Sequence, residues 1–379
     1  MRPKFKEILK PYEQNDEVIV INNGVQKVTL SNVDKVTQKI IELLDGKHSE
    51  TDILKKLDLK KSELESAIQI LNHYKMLEDE EVYEQIPHSK RERYKSNLRF
   101  FSNYTDLNYH GADILEKLES TKVFSIGLGG MAITLANLAG MGLGMISGLD
   151  FDDVELGNLS RQFLFSESVI GKKKHESTEK QLKSINSEIQ TSFFEKKIEN
   201  EKDLLDKELQ LEKYDIILNG IDEPAILSTR NVNFASVRLK IPFLQSGVIK
   251  NATVLQFFNP NTSACYDYFL INNLINNENF EKLLRINYGS NADNQNVSFA
   301  PYISVMSGLM AGEIFDYLIF NKDKSSFSSI FRVSPFTLED SSEIPKFPNC
   351  PTCNGSKDYL TSLDELIGIA KEYKDEHRI

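Results

Sequence analysis

The chain has 379 residues, 40% of them hydrophobic, enough to fill two or three ordinary cores and to exclude disorder as its general state. A formal charge of -11, from 45 basic against 56 acidic residues, argues against a general nucleic-acid binder, whose affinity rests on neutralising phosphates. The charged stretch Met1 to Lys10 lacks the apolar core of a signal peptide and no run of about 20 apolar residues reads as a membrane span, so a cytoplasmic protein without membrane contact is expected.

In chain order, alternation through Glu17 to Ile21, a turn at Asn22-Asn23-Gly24 and alternation from Val25 to Leu30 predict a β-hairpin. Three helical patterns follow: Val33 to Leu44 ended by Gly46, Ser49 to Leu57, and a third opened by Ser62 with Glu65 as a capping box and running to Met76. Residues 1–85 thus read as a small winged-helix-like module. The charge-rich stretch Glu78 to Arg93, with Pro87 inside it, reads as a solvated connection, and 86–120 as a linker and leading helix.

Beyond it, strands at Val123 to Ile126, Met145 to Asp150, Ser192 to Lys196 and Asp215 to Leu218 alternate with helical stretches. This pattern predicts an α/β domain with a Rossmann-like, mostly parallel sheet over 121–345. Thr253 to Phe258 reads as an antiparallel strand, the Asn-rich stretch Asn272 to Asn296 as a long surface connection, Tyr302 to Phe320 as a buried helix, and Phe331 as part of a last strand. Residues 346–379 hold a Cys350-Pro-Thr-Cys353 turn and an amphipathic helix opened by Ser362 and Glu365. Three cysteines are an odd count for a disulfide framework, and this spacing suits a metal better than a bridge.

Chemistry concentrates after the first parallel strand. Gly127-Leu-Gly129-Gly130-Met-Ala132 lies between strand and helix, where backbone amides and a helix dipole meet phosphate, and Asp150 closes the next strand at the distance of a ribose-binding acid. That set alone does not separate NAD from ATP. The residues that follow do: Asp152, Asn158, Arg161 and Gln162, then Lys174 at the end of Gly171-Lys-Lys-Lys, assemble carboxylates, amides, a guanidinium and an ammonium. A triphosphate losing pyrophosphate needs such cations, whereas hydride transfer has no evident use for them.

In Asp150-x-Asp-x-Val154, Asn158-Leu-x-Arg161-Gln162, Gly171-Lys-x-Lys174, the later strand ending at Asp222 and Phe299-Ala-Pro301, the sequence resembles the ThiF/MoeB, ubiquitin-activating-enzyme-like family of adenylyltransferases. The resemblance implies ATP and magnesium as cofactors and a homodimer. It implies that Gly127, Gly129 and Gly130 cradle the nucleotide, Asp150 holds ribose, Asn158 and Arg161 reach the phosphates, Lys174 neutralises them and Asp222 places magnesium; Asp152 and Gln162 complete the nucleotide set. Three departures stand against it: Ser96 replaces an arginine that the family supplies to the partner subunit's triphosphate, with Lys95 or Arg99 as candidate substitutes, Ala132 replaces a glycine, and Glu223 replaces an Asn.

Members of the family often bind zinc through two Cys-x-x-Cys pairs. Cys350 and Cys353 keep the second pair and Cys265 half of the first, which leaves two alternatives open: a zinc site completed by another side chain, or a lost site whose cysteines pack. The first 85 residues resemble PqqD-like peptide-recognition domains, which pair a leader peptide with a β-ribbon edge. The combination looks like the microcin-C adenylyltransferases and related modified-peptide maturation enzymes. It implies ATP-dependent activation of a ribosomally made precursor peptide, as in bacteriocin biosynthesis. The alternative is a non-adenylating leader-peptide binder that serves a YcaO-type cyclodehydratase. Sulfur-carrier activation ranks third, because it has no use for the peptide module, and an NAD-dependent dehydrogenase last.

Overall fold

The structure is a computed structural model and describes residues 1–9, 13–14, 18–22, 27–31, 34–221, 224–249, 252–276, 279–288, 298–332 and 372. The chain forms two compact units, Met1–Phe331 and Arg332–Ile379. The expected Cys350 turn and the helix from Ser362 belong to the second and lie outside the described residues.

The N-terminal segment contains strands β1 (Pro3–Phe5), β2 (Glu13–Gln14), β3 (Val18–Asn22) and β4 (Lys27–Ser31), helices α1 (Lys35–Leu43), α2 (Glu50–Leu57) and α3 (Lys61–His73), and strand β5 (Leu77–Asp79). The hairpin is present: β3 and β4 pair antiparallel from Val18↔Ser31 to Asn22↔Lys27, and β2 adds to β3. Each helix starts where a side chain meets an orphan backbone donor. Asp34 accepts from the Thr37 N–H at 2.7 Å, and Ser49 and Asp52 form a reciprocal capping box on α2. The third helix begins earlier than expected, because Glu63 accepts from the Lys60 N–H at 2.9 Å; Ser62 lies inside the helix, its carbonyl taking the Ser66 hydroxyl at 2.8 Å. Phe5, Ile41, Leu44, Ile53, Leu64, Leu71 and Leu77 close a core of their own, with β1 antiparallel to β5.

The charged stretch expected to be a bare connection is helical: α4 (Glu80–Gln85), α5 (His88–Arg93) and α6 (Lys95–Phe101). Asp79 caps α4 through the Glu81 N–H (3.1 Å), and Ile86, Tyr94, Leu98 and Phe101, spread thinly between charges, all reach the main core. Their low density hid the pattern. Lys6 joins the two parts. Only 1% exposed, it donates from Nζ to the Ser102 and Thr105 carbonyls at 2.6 and 2.5 Å.

The α/β body comprises α7 (Gly111–Ser120), β6 (Lys122–Ile126), α8 (Ala132–Met141), β7 (Met145–Leu149), α9 (Lys174–Ile185), β8 (Gln190–Phe194), β9 (Ile216–Asn219), α10 (Ala225–Leu239), β10 (Phe243–Ile249), β11 (Ala252–Phe258), α11 (Tyr266–Asn276), α12 (Phe280–Asn287), α13 (Ala300–Ile319) and β12 (Phe327–Arg332). Its sheet runs β12-β11-β10-β9-β6-β7-β8, parallel from β10 through β8, with β11 antiparallel to β10 as its alternation foretold. The third expected strand sits two residues early, at β8. The Asn-rich stretch expected to be a surface connection contains the end of α11 and all of α12, where Phe280 and Leu284 pack under α10.

One apolar layer, with α8 and α13, covers one face of the sheet, and a second, with α10 and α11, covers the other. Helix α13 is 20 residues long and apolar enough to cross a bilayer by length and composition. Here it is a core helix, with Ile303, Met310, Ile314 and Leu318 against the sheet and α8. The apolar stretch Met131 to Met141 places Met131, Leu135, Leu138 and Ala139 in the core, where α13 covers it.

Candidate active site

Strand β6 lies between β7 and β9, so successive connections leave it toward opposite edges of the sheet. The crevice at such a reversal, beyond the carboxyl ends of the strands, is where open α/β sheets bind ligands. The turn after β6 fills this place. Gly127 has φ +84° and donates its N–H to the Leu149 carbonyl at 2.9 Å; a Cβ there would meet the backbone of Gly220 at 2.9 Å. A Cβ on Gly129 would fall 2.6 Å from Gln162 Nε2, whereas one on Gly130 would meet nothing within 4 Å. Gly130 thus opens toward free space at the amino end of α8, and Met131, the residue before that helix, makes no side-chain capping bond.

Asp150, 7% exposed, ties the two loops together: its carboxylate accepts from the Leu128 N–H and the Asp152 N–H, each at 2.9 Å. Burial pushes its carboxyl up, opposed by those two N–H groups and by Lys174. Lys174, also 7% exposed, reaches Asp152 with Nζ at 2.8 Å. A short ladder brings it there from 22 residues away: Val154 N–H to Lys172 O, Gly171 N–H to Val154 O and Lys174 N–H to Asp152 O, at 2.8, 2.8 and 3.0 Å. The Gly171-Lys-Lys-Lys174 spacing places a lysine at the first turn of α9 beside the ribose-type acid.

The Asn158 loop is a short 3-10 turn, Leu156–Ser160. Asn158 Oδ1 accepts from the Glu155 N–H at 3.0 Å, and its carbonyl accepts from the N–H groups of Arg161 and Gln162. The Arg161 guanidinium donates to the Gly157 carbonyl of the same turn at 3.0 Å. Gln162, 6% exposed, lies against Gly129 with no partner for its Oε1 among the described residues. The structure therefore brings together Gly127, Gly129, Gly130, Asp150, Asp152, Lys174 and Gln162, and it engages Asn158 and Arg161 in their own turn.

Asp222 lies outside the described residues, one position beyond Ile221, as do Cys350 and Cys353. Cys265 is free and partly exposed, and among the described residues no three His, Cys, Asp or Glu side chains gather as a metal site. Lys95 and Arg99 line a cavity of about 370 Å³ between α6, α7 and the β1–β5 pair, Arg99 facing Glu7 at 3.9 Å. One feature escaped the sequence reading. Asn219, Gln245 and Gln256 sit side by side at the carboxyl end of β9 and on its neighbours, joined by side-chain hydrogen bonds. The available signal was Asn219, a polar residue closing an apolar strand.

The model of the ThiF family matches residues 101–354. The chain belongs to the ThiF family. As a ThiF-family chain it is 35% identical over 152 residues to an adenylyltransferase and sulfurtransferase MOCS3 of Culex quinquefasciatus, covering 40% of this chain and 33% of that protein. It is 31% identical over 137 residues to the sulfur carrier protein ThiS adenylyltransferase of Escherichia coli, covering 35% of this chain and 51% of that one. The chain thus spans about a third and about half of these relatives' lengths. Its fold is similar to that of E. coli MccB, crystallised with AMPCPP and MccA: TM-score 0.64 and 22% identity, over 88% of this chain and 98% of that one.

Proposed function

We propose that this chain is a cytoplasmic adenylyltransferase that uses ATP to activate a ribosomally made precursor peptide, held by residues 1–85. The observation that carries the reading is the buried Lys174 ammonium, paired with the exposed carboxylate of Asp152 and set beside Asp150 and the glycine turn at the sheet's switch point. The turn suits a nucleotide because Gly129 and Gly130 carry no side chain into the crevice and the first amides of α8 face it without a side-chain cap. Asp150 then offers its carboxylate to ribose hydroxyls while its two backbone bonds fix its orientation. Lys174, freed from Asp152 by a stronger anion, neutralises phosphate charge as it builds toward the leaving pyrophosphate. A magnesium ion at Asp222 would supply further positive charge for the same purpose.

In the reaction, a carboxylate oxygen of the peptide bonds to the α-phosphorus and the bond to pyrophosphate breaks, giving an acyl-adenylate whose carbonyl a nucleophile then takes. The peptide reading draws on MccB, a microcin C7 biosynthetic enzyme crystallised with N-formylated MccA, and on the separate core of the first 85 residues. A homodimer and zinc at Cys265, Cys350 and Cys353 belong to the same proposal. Ser96 and the engagement of Arg161 with Gly157 favour a second reading, a non-adenylating presenter of leader peptides to a YcaO-type partner. Pyrophosphate exchange with the cognate peptide separates the two: the wild type is expected to exchange and Asp222→Asn to lose exchange with its fold intact. Release of neither AMP nor ADP by the wild type establishes the presenter instead.

A further inference from the structure

Three amides cross the sheet in one row at its carboxyl end. Asn219 of β9 stands opposite Gln245 of β10, which stands opposite Gln256 of β11. Asn219 Nδ2 donates to Gln245 Oε1 at 2.8 Å, Gln245 Nε2 to Gln256 Oε1 at 2.7 Å, and Gln256 Nε2 to Ser328 Oγ of β12 at 3.0 Å. Every donor points the same way. Thr229 of α10 backs the junction, its hydroxyl 3.1 Å from Gln245 Oε1 and 3.3 Å from Asn219 Nδ2. Asn219 is 3% exposed, so none of its groups has bulk water as an alternative partner.

A directional chain decides which way its last amide faces. Were Asn219 flipped, its Oδ1 would face the Gln245 oxygen and its NH2 group would face an N–H donor. As it stands, Asn219 Oδ1 is left pointing at the Ile221 N–H, 3.3 Å away. Between them, Gly220 donates to the Ile126 carbonyl at 2.7 Å, and its backbone occupies the space that a Cβ on Gly127 would need. A rotation at Asn219 therefore moves the Gly220 turn, and the Gly127 turn rests against it.

We infer that Asn219, Gln245 and Gln256 form a relay that fixes the Gly220–Ile221 turn and, through it, the glycine turn after β6, making Gln245 and Gln256 positioning residues for a nucleotide they do not touch. The consequence for ATP rests on the adenylation reading; the fixing of the turns does not.

The test uses the full chain with Gln256→Leu, two strands away from Gly220. This change leaves Gln245 Nε2 without its acceptor and frees the relay to turn over. Hydrogen–deuterium exchange read by mass spectrometry is expected to speed up in fragments covering Gly127 to Ala132 and Asn219 to Ile221, and to stay as in the wild type over β7 and α13. ATP affinity by calorimetry should fall by up to about tenfold, the scale of one hydrogen bond. Gln256→Glu keeps an acceptor for Gln245 and can take the Ser328 hydroxyl proton, so it should restore both readouts. Unchanged exchange at the two turns in Gln256→Leu, or equal effects of Leu and Glu, overturns the relay. A wild type that binds no ATP while exchange responds as expected overturns the adenylation reading and upholds the relay.

Discussion

A methyl group on Gly127 has nowhere to go: φ is +84° and the Gly220 backbone lies 2.9 Å from where the carbon would sit. Gly127→Ala should cost about 1–3 kcal/mol of stability from backbone strain alone, read as a lowered urea midpoint. Gly130→Ala is the control, since its Cβ meets nothing; its stability should match the wild type while ATP binding weakens. Equal stability of both variants contradicts the account of the turn. Lys174→Ala removes the buried ammonium beside Asp150, and calorimetry should show MgATP affinity at least about tenfold lower, the scale of a charge-assisted hydrogen bond. Tighter binding of NAD than of ATP would sink that assignment. These residues were legible in the sequence because glycines, Asp150 and Lys174 act through local turns at recognisable spacings. The amide row was not: Asn219 and Gln245 are 26 residues apart, Gln245 and Gln256 are 11, and only sheet order makes them neighbours.

Among the elements, the sheet strands announced themselves by short apolar runs, whereas α4 to α6 did not, because all three are short and charged, with two buried positions in α6 and none in α4 and α5. The same holds for α12, eight residues long and flanked on both sides by asparagine-rich sequence. Nothing in the pattern around Lys6 marked it as the clamp between β1 and the α6–α7 connection. Burial pushes its ammonium down to about 8, against Glu78 and Asp106, which hold it up, and with Lys75, which adds to the depression. The folded protein thus releases this proton at a pH where the unfolded chain still holds it, so Lys6 makes stability rise with pH from about 8 toward the ordinary lysine range. The slope is at most about 1.4 kcal/mol per pH unit. Urea unfolding between pH 7.5 and 9.5 should show that rise in the wild type relative to Lys6→Met, and a fall across the same interval would contradict a buried, deprotonating Lys6.

At the scale of the whole molecule, the proposed function divides the labour: the N-terminal core would hold a peptide and the α/β body a nucleotide. Among the described residues the three-stranded ribbon has two edges, β2 with two residues and β4 with five, and of these β4 is the one long enough to pair a strand of leader. Its outward N–H and C=O groups supply affinity without sequence information, as in other strand additions. Along β4, successive N–H groups alternate between β3 and the open side. A proline at either Thr29 or Leu30 therefore removes either an outward donor or a rung to β3, and each should abolish binding of a fluorescent leader peptide to the full chain, measured by anisotropy. Neither residue belongs to the core shared by α8, α13 and the sheet, so calorimetric ATP binding should stay within about twofold of the wild type. Leader binding that survives both prolines places recognition away from β4. ATP binding that falls with either one shows that the ribbon and the glycine turn are coupled, and the division of labour fails.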